Sequence, residues 1–429
     1  MDYTQYPFPI GPDKEEQFLS IGLDYYKPTM SQLAFEKNKD AEVVFTFKNR
    51  SKEILTDYVD IEELQKRLDI RQSGWNDEEL EYLGSLTNSK GGERFSQEYL
   101  DYLATSSLPP VEVGVGETGD LAITAKGDWA LVTFWETVVM SEVNELYFET
   151  KVAKEGLDIF DLYNEGNRRL TEKIEVLQSR PDIKFADFGT RRRFSYKWQK
   201  HVVERLIDEC PENFIGTSNV YLAKKYGITP IGTFAHEMPM VYAGLKDAEG
   251  VNPLEGHNLM LRDWRDVYED DLSVALTDTF GSEFFFADFT PEQAEQWKAL
   301  RHDSGDPVKF GNRVIEFYTD LGIDPMEKSI VFSDGLDLDT IVMLADTFKD
   351  KINVTFGWGT TLTNDLGIKA LNIVMKATSV NGESTVKLSD DPGKETGPEE
   401  KVELYTDNVI EFRKKRAATI TGKQAVSAA

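Results

Sequence analysis

The chain has 429 residues, more than one ordinary core supports, so a large domain with a smaller companion is expected. Acidic residues outnumber basic ones by 76 to 48, and the resulting net charge of −28 repels nucleic acid and anionic lipid. A hydrophobic share of 40% with 25 phenylalanines suffices for packed cores, while a single cysteine, Cys210, excludes a disulfide framework or a cysteine-rich zinc site.

In chain order, the opening "MDYTQYPFPIGPDKEE" lacks the basic-then-apolar layout of a signal peptide. No apolar run anywhere approaches the ~20 residues of a membrane span, so a cytoplasmic protein is expected. "DIEELQKRLDI" and "NDEELEYLGSL" have helical spacing behind residues suited to capping. "LAITAKGDWALVTFWET" alternates and is rich in branched and aromatic residues, as strands are. Residues 1–150 therefore read as an α+β domain with an antiparallel sheet.

Over residues 151–379 the pattern changes to short apolar runs that end in polar or glycine-rich tips. They are "KFADFGTRRR", "NFIGTSN", "PIGTFAHE", "SVALTDTFG", "ALRHDSGDP", "SIVFSDGLD", "NVTFGWGTT" and "LNIVMKATSV", most followed by a helical stretch such as "SYKWQKHVVERLIDE" or "LDTIVMLADTFKDK". Continuous apolar strands with helical crossovers mark parallel pairing, and eight units point to a closed (β/α) barrel, with an open doubly wound sheet as the alternative. In a barrel the catalytic groups lie at the C-terminal strand ends, where the chemically useful residues gather in this chain. After residue 380 a polar, turn-rich loop leads to "KVELYT", read as a last strand, and then to a helix with a frayed tail.

No G-x-x-x-x-G-K-[ST], H-E-x-x-H or G-x-S-x-G motif is present. "HEMPM" lacks a second histidine and carries a proline where a metalloprotease helix would continue. Two tips suit phosphate: "FSDGLDLDTIV", with Asp334 and Gly335, and "FGWGTTLTND", with Gly357, Gly359 and Thr360. Glycines let backbone amides approach an anion, and a helix N-terminus adds a favourable dipole. Arg191, Arg192 and Arg193 directly follow a strand and supply forked donors for phosphate or carboxylate, with salt bridging as the plainer role for at least one of them. "LRHDSGDP" combines Arg301, His302, Asp303 and Asp306, which can hold an anion, a sugar or magnesium, or can simply satisfy a tight turn. His236 is followed by Glu237; a neutral imidazole can attack a phosphoryl group with the acid fixing its tautomer, though spacing alone leaves a satisfied structural histidine as the simpler reading.

Seven motifs stand in order: "LDYYKPTM" (23–30), "FADFGTRRRFS" (185–195), "GTSN" (216–219), "IGTFAHEMPM" (231–240), "RHDSGDP" (301–307), "FSDGLD" (332–337) and "FGWGTTLTND" (356–365). Together, collinear over most of the chain, they resemble those of the nicotinate phosphoribosyltransferase family. The resemblance implies an irregular (β/α) barrel with a second α+β domain that the segment 380–429 rejoins. It implies transfer of a phosphoribosyl group from phosphoribosyl pyrophosphate to nicotinate, giving nicotinate mononucleotide in NAD synthesis. Mg2+ accompanies the pyrophosphate, and ATP is a co-substrate hydrolysed through a phosphohistidine.

By the same resemblance His236 is the phosphorylated residue, supported by Glu237, with Asp303 also at the reacting centre. Tyr26 and Phe188 would sandwich the pyridine ring, with Ser218, Thr233 and Arg301 at nicotinate. Arg191, Arg192, Asp334, Gly335, Gly357, Gly359 and Thr360 would serve the phosphoribosyl and phosphate groups. The tyrosine of related enzymes comes from a second subunit, so a homodimer with shared sites is implied. Nicotinamide-specific relatives carry an aspartate where this chain has Ser218, which favours the acid over the amide as substrate. Trp358 departs from the smaller residue common between the two loop glycines. The rival readings are a nicotinamide or quinolinate enzyme, a metal-dependent barrel hydrolase using His236, His302 and Asp303, and a phosphosugar-binding scaffold.

Overall fold

A computed structural model describes residues 17–391 and 393–427, with side chains described as far as residue 416. The N-terminal stretch used above to argue against a leader lies outside these residues. Two sheets organise the chain. β1 (Glu42–Asn49), β2 (Val111–Val115) and β3 (Leu121–Asp128) come first. They are followed by β4 (Phe185–Asp187), β5 (Phe214–Thr217), β6 (Val274–Leu276), β7 (Ala299–His302), β8 (Ser329–Phe332) and β9 (Asn353–Trp358). β10 (Ile373–Val380) and β11 (Glu383–Ser384) complete the series. The first sheet is antiparallel in the order β11-β10-β1-β3-β2, and the second is six-stranded in the order β5-β4-β9-β8-β7-β6, with parallel pairing throughout. The protein is therefore α/β with a second, antiparallel α+β layer.

The sequence explains both sheets. β1 alternates, burying Val43, Phe45 and Phe47 on one face, as a sheet with one covered side requires. The strands of the second sheet are short apolar runs, and helices such as Tyr196–Glu209, Pro307–Asp320 and Leu338–Phe348 cross between them. Predicted caps are in place: Asp60 accepts from the Glu63 amide, and Asn76 with Glu79 forms a capping box.

Four local readings change. "LNIVMKATSV" is no barrel unit: β10 pairs antiparallel with β1 over residues 43–49, so the last part of 151–379 belongs to the first sheet. "PIGTFAHE" is extended but contributes one bridge, Thr217 to Pro230, rather than a ladder. "GDWALVTFWET" leaves the strand at Asp128, whose carboxylate caps the helix Trp129–Val132, and a long helix Trp135–Glu155 follows. "KVELYT" lies inside the helix Glu399–Ser427, where Val402, Tyr405, Val409 and Phe412 pack on Phe280 and Phe284. Helix Glu237–Ala248 packs against β10, which brings the two sheets together at the site described next.

Candidate functional site

His236 occupies the N-cap position of helix Glu237–Ala248, reached through the extended segment after Pro230. That segment runs against the start of helix Tyr26–Lys37. A Cβ on Gly232 would lie 2.9 Å from the Tyr26 amide nitrogen, and Thr29 Oγ1 donates to the Thr233 carbonyl at 2.8 Å. Glycine at 232 is thus a condition of the close approach.

The imidazole is held on both nitrogens. Nδ1 lies 2.9 Å from Thr279 Oγ1, and Nε2 lies 3.0 Å from Asp303 Oδ2. Lys387 Nζ also reaches Nε2 at 3.0 Å and pairs with Asp278 Oδ2 at 3.2 Å. Asp278 Oδ1 stands 3.5 Å from Nε2, and Ser304 donates to the other oxygen at 2.5 Å. Burial, with Lys387 adding to it, pushes the His236 pKa below its ordinary value despite the neighbouring aspartates. The lowered value favours the uncharged ring at neutral pH, the form in which an imidazole can accept a proton or attack. Burial alone would raise Asp303, but Arg301, His236 and Lys387 outweigh it and hold the carboxyl well below the usual range.

Asp303 is itself fixed. Arg301 Nη2 donates to its Oδ1 at 2.8 Å, Ser333 Oγ donates to the same oxygen at 2.8 Å, and Arg301 Nε donates to Ser333 Oγ at 2.8 Å. These groups come from the C-terminal ends of β7 and β8, and Asp278 and Thr279 follow β6, so successive strand tips build the site as expected.

A second cluster surrounds Tyr26. The Arg191 guanidinium lies 5.6 Å from the Tyr26 ring centre and reaches Asp24 at 3.3 Å and Glu136 at 3.5 Å. The Tyr26 hydroxyl donates to Glu136 at 3.4 Å. Ser218 Oγ donates to Asp24 Oδ1 at 2.6 Å, so the hydroxyl expected at the substrate is engaged by a buried acid. Burial raises the Asp24 pKa above the ordinary range, with Arg191 and Ser218 opposing. The Arg301 guanidinium lies 6.0 Å from the Phe188 ring.

Several expected roles need correction. Glu237 does not hold the imidazole: its carboxylate takes Lys27 Nζ at 2.6 Å and the Trp129 indole N–H at 2.6 Å. The i+1 residue at a helix start points away from its neighbour, and Asp303 fills the role instead. His302 is buried between the rings of Phe310 and Phe332, with Nε2 bonded to the Gly305 carbonyl, so it does not join His236 and Asp303 in a metal set. Asp306 caps helix Pro307–Asp320 through the amides of residues 308 and 309. Arg193 is buried against Glu145 at 2.7 Å and the Ile21 carbonyl, away from the strand tips. Arg192 donates to the Ile373 carbonyl at 3.1 Å, and burial with Arg191 and Arg50 lowers its pKa to about 10.

The loop residues lie where the sequence puts them, with an added packing reason. Asp334 and Gly335 follow β8; Gly335 has φ 58° and open space where a Cβ would stand, and burial raises the Asp334 pKa. A Cβ on Gly357 would fall 2.5 Å from the Phe188 ring, and one on Gly359 would meet the Phe188 carbonyl at 3.3 Å. These two glycines therefore seat Phe188 beside β9. Thr360 opens the short turn Thr360–Thr363. Trp358 is fully buried, edge-on to Phe185, with its indole N–H donated to Thr361 Oγ1 at 2.6 Å, which resolves its packing.

Asp278, Thr279, Lys387 and Glu136 were missed in the sequence. The first two sit in a tip whose apolar run was recognised, whereas Lys387 comes from the polar stretch after residue 380 and carried no signal of its own. Among the described residues one group could converge on a cation: His236, Asp278 and Asp303, with ligand atoms within 4.8 Å of one another. It offers a single imidazole, and the Lys387 ammonium already stands within it.

The charge at Lys387 has a direct readout. The His236 ring, followed by NMR and assigned among four histidines by its loss in a variant, is expected to titrate below the ordinary value of about 6.5. Lys387→Gln removes a cation that disfavours the imidazolium, so the midpoint should move up. An unmoved midpoint would show that Lys387 does not act on the ring.

Comparison with known proteins adds an independent line. Residues 183–416 match the nicotinate phosphoribosyltransferase (NAPRTase) family, and residues 21–144 match the NAPRTase N-terminal domain. The nicotinate phosphoribosyltransferase of Chromobacterium violaceum is 41% identical over 387 residues, 87% of this chain and 92% of that protein. That of Neisseria meningitidis is 39% identical over 386 residues, with the same coverage of 87% and 92%. The crystal structure of the nicotinate phosphoribosyltransferase from Porphyromonas gingivalis superposes with a TM-score of 0.81 at 29% identity, covering 91% of this chain and 98% of that one. The Vibrio cholerae structure gives 0.82 at 28% identity, with 94% and 97% covered.

Proposed function

Because the chain belongs to the nicotinate phosphoribosyltransferase family, we infer that its site couples phosphoribosyl transfer to ATP through a phosphate carried on His236. The activity itself is glycosyl transfer: nicotinate and phosphoribosyl pyrophosphate give nicotinate mononucleotide and pyrophosphate. The pyridine nitrogen forms the new bond to the anomeric carbon as the bond to the pyrophosphate oxygen breaks with its electron pair. The ribose acquires oxocarbenium character in passing, which the Asp303 and Asp334 carboxylates favour electrostatically.

The observation that carries the coupling is the imidazole held between Thr279 and Asp303 with its pKa lowered. A neutral ring nitrogen attacks the γ-phosphorus of ATP as the bond to ADP breaks; the Asp303 carboxylate, which stays ionised, balances the charge the ring gains, and the ring proton leaves to water. Water later cleaves the phosphorus–nitrogen bond, releasing inorganic phosphate. Oriented nucleophile, counter-charge and fixing groups are the arrangement such catalysis needs.

Nicotinate specificity is supported by two arginines, one beside each aromatic: Arg191 at Tyr26 and Arg301 at Phe188. A ring stacked on either aromatic presents its carboxylate to a forked donor. Tyr26 and Phe188 as the two sides of a ring sandwich, one from each partner of a homodimer, complete the reading. The carboxylates of Asp303 and Asp334 are hard oxygen donors that would hold Mg2+, and the ion would supply neutralisation of charge on the departing pyrophosphate. No described helix is long and apolar enough to cross a membrane, and a cytoplasmic location, with ATP and phosphoribosyl pyrophosphate at hand, fits the reading.

The test is a product assay with phosphoribosyl pyrophosphate and each of nicotinate, nicotinamide and quinolinate, with and without ATP. Turnover of nicotinate, with ADP and inorganic phosphate formed in step, is expected. Preference for nicotinamide would sink the base assignment. Equal turnover with and without ATP, and no ADP, would sink the coupling.

A further inference from the structure

We propose that Lys27 is a positioning residue that couples the phosphorylation state of His236 to the affinity of the nicotinate pocket. The proposal rests on the phosphohistidine reading above and adds the link through which the phosphate acts. Lys27 is fully buried, and its Nζ is shared between two carboxylates: Glu136 Oε2 at 2.6 Å and Glu237 Oε2 at 2.6 Å. Thr133 Oγ1 at 3.1 Å is its third partner, and the rings of Tyr26 and Phe45 complete the enclosure at 5.4 Å and 5.3 Å.

Each carboxylate belongs to a different half of the chemistry. Glu237 is the residue after His236, at the start of the same helix. Glu136 receives the Tyr26 hydroxyl and faces Arg191, the two groups placed at the pyridine ring. Lys27 itself follows Tyr26 directly in the chain. The two segments are further tied by the Thr29 bond to the Thr233 carbonyl and by the close approach at Gly232. A single buried ammonium therefore joins the phosphate acceptor turn to the ring-holding cluster.

A phosphate on His236 adds negative charge one residue from Glu237. In a water-excluded setting that charge repels the Glu237 carboxylate but attracts the Lys27 ammonium, drawing it toward the His236 turn and away from Glu136. Glu136 is then freer to draw on Tyr26 and Arg191, which changes the ring site. Two carboxylates competing for one cation are a two-arrangement element, the physical requirement for coupling between sites.

The readout is the ratio of nicotinate KM without ATP to that with ATP, since a merely structural lysine would not change it. In the wild type a ratio of about 5–150 is expected, the usual range of such coupling. Lys27→Met strands two acids, so Lys27→Met with Glu237→Gln is measured beside it; the glutamine keeps an acceptor for the Trp129 indole. In the double variant the ratio should fall to within about twofold of one, while Lys27→Arg, which retains the shared cation, should restore part of it. Wild-type response persisting in the double variant would overturn the proposal alone. A wild-type ratio of one with ADP still formed would also overturn this inference alone, whereas no ADP and no protein-bound phosphate in the wild type would overturn the phosphohistidine reading, and this inference with it.

Discussion

Replacing His236 with glutamine is expected to abolish labelling of the protein by γ-labelled ATP and, with it, the stimulation of nicotinate turnover by ATP. Glutamine can still hydrogen-bond to Thr279 and Asp303, and Arg301 and Ser333 go on fixing the Asp303 carboxylate, so the change removes the nucleophile more than the surroundings. Its amide nitrogen has no available lone pair and cannot carry the phosphate. The ATP-dependent gain in kcat/KM, about 5–150-fold for a coupling of ordinary size, should be lost. In the wild type the label should be acid-labile and alkali-stable, as a phosphorus–nitrogen bond is. Because burial and Lys387 lower the ring's pKa, labelling should persist to more acidic pH than the ordinary imidazole value of about 6.5. Label that survives in His236→Gln would place the acceptor elsewhere.

Lys27→Met is expected to cost about 3–5 kcal/mol of stability at neutral pH, because it leaves two buried carboxylates without their shared cation. Against a total of about 5–15 kcal/mol for folded proteins, that is enough to be seen as a large fall in denaturation midpoint. Glu136 retains Arg191 at 3.5 Å, whereas Glu237 keeps only the Trp129 indole, so Glu237 is the group left most exposed to the loss. In the native protein the Glu237 pKa is already raised, by burial first and by repulsion from Glu136, with Lys27 opposing. A carboxyl raised in the folded state contributes stability below its unfolded pKa and loses it as pH rises through the folded value. Without Lys27 the rise grows, so the penalty should be greatest at neutral pH and shrink toward acid. Denaturant titrations of both proteins at neutral and mildly acidic pH check this, and Glu237→Gln in the same background should recover part of the loss. A penalty independent of pH would mean that packing of the lysine stem, not charge, dominates.

What could be read in the sequence followed from period and local chemistry. Caps at Asp60 and Asn76 and the alternating face of β1 were legible because each is set within a few residues. β10 was misplaced because an apolar run of eight residues looks the same whether its neighbours are parallel or antiparallel; its partner, β1, lies at the far end of the chain. "KVELYT" by itself has the look of a strand because six residues are too short a window to show Val402, Tyr405, Val409 and Phe412 at helical spacing. In the site, His236 and Asp303 were found through motifs, but the choice of Asp303 over Glu237 as the partner of the ring was beyond sequence. Adjacency in the chain argued for Glu237, and only the fold carries Asp303 from β7 to within 3.0 Å. Lys387 and Lys27 act through charge in buried places, and burial is not written in a single sequence.

The ladder between β1 and β10 also sets a timetable. β1 ends at Asn49 and β10 begins at Ile373, roughly 320 residues later. At about 5–20 residues per second, the ribosome completes the second strand roughly 15–65 s after the first. β3 can cover one side of β1 early, but through that interval the other side offers unpaired amides and carbonyls beside Val43, Phe45 and Phe47. Lys387 is made later still, so neither the central sheet nor the charged cage around His236 can close until nearly the whole chain has left the ribosome. Nascent chains stalled short of β10 should therefore engage holding chaperones, and release should coincide with the arrival of residues 373–387.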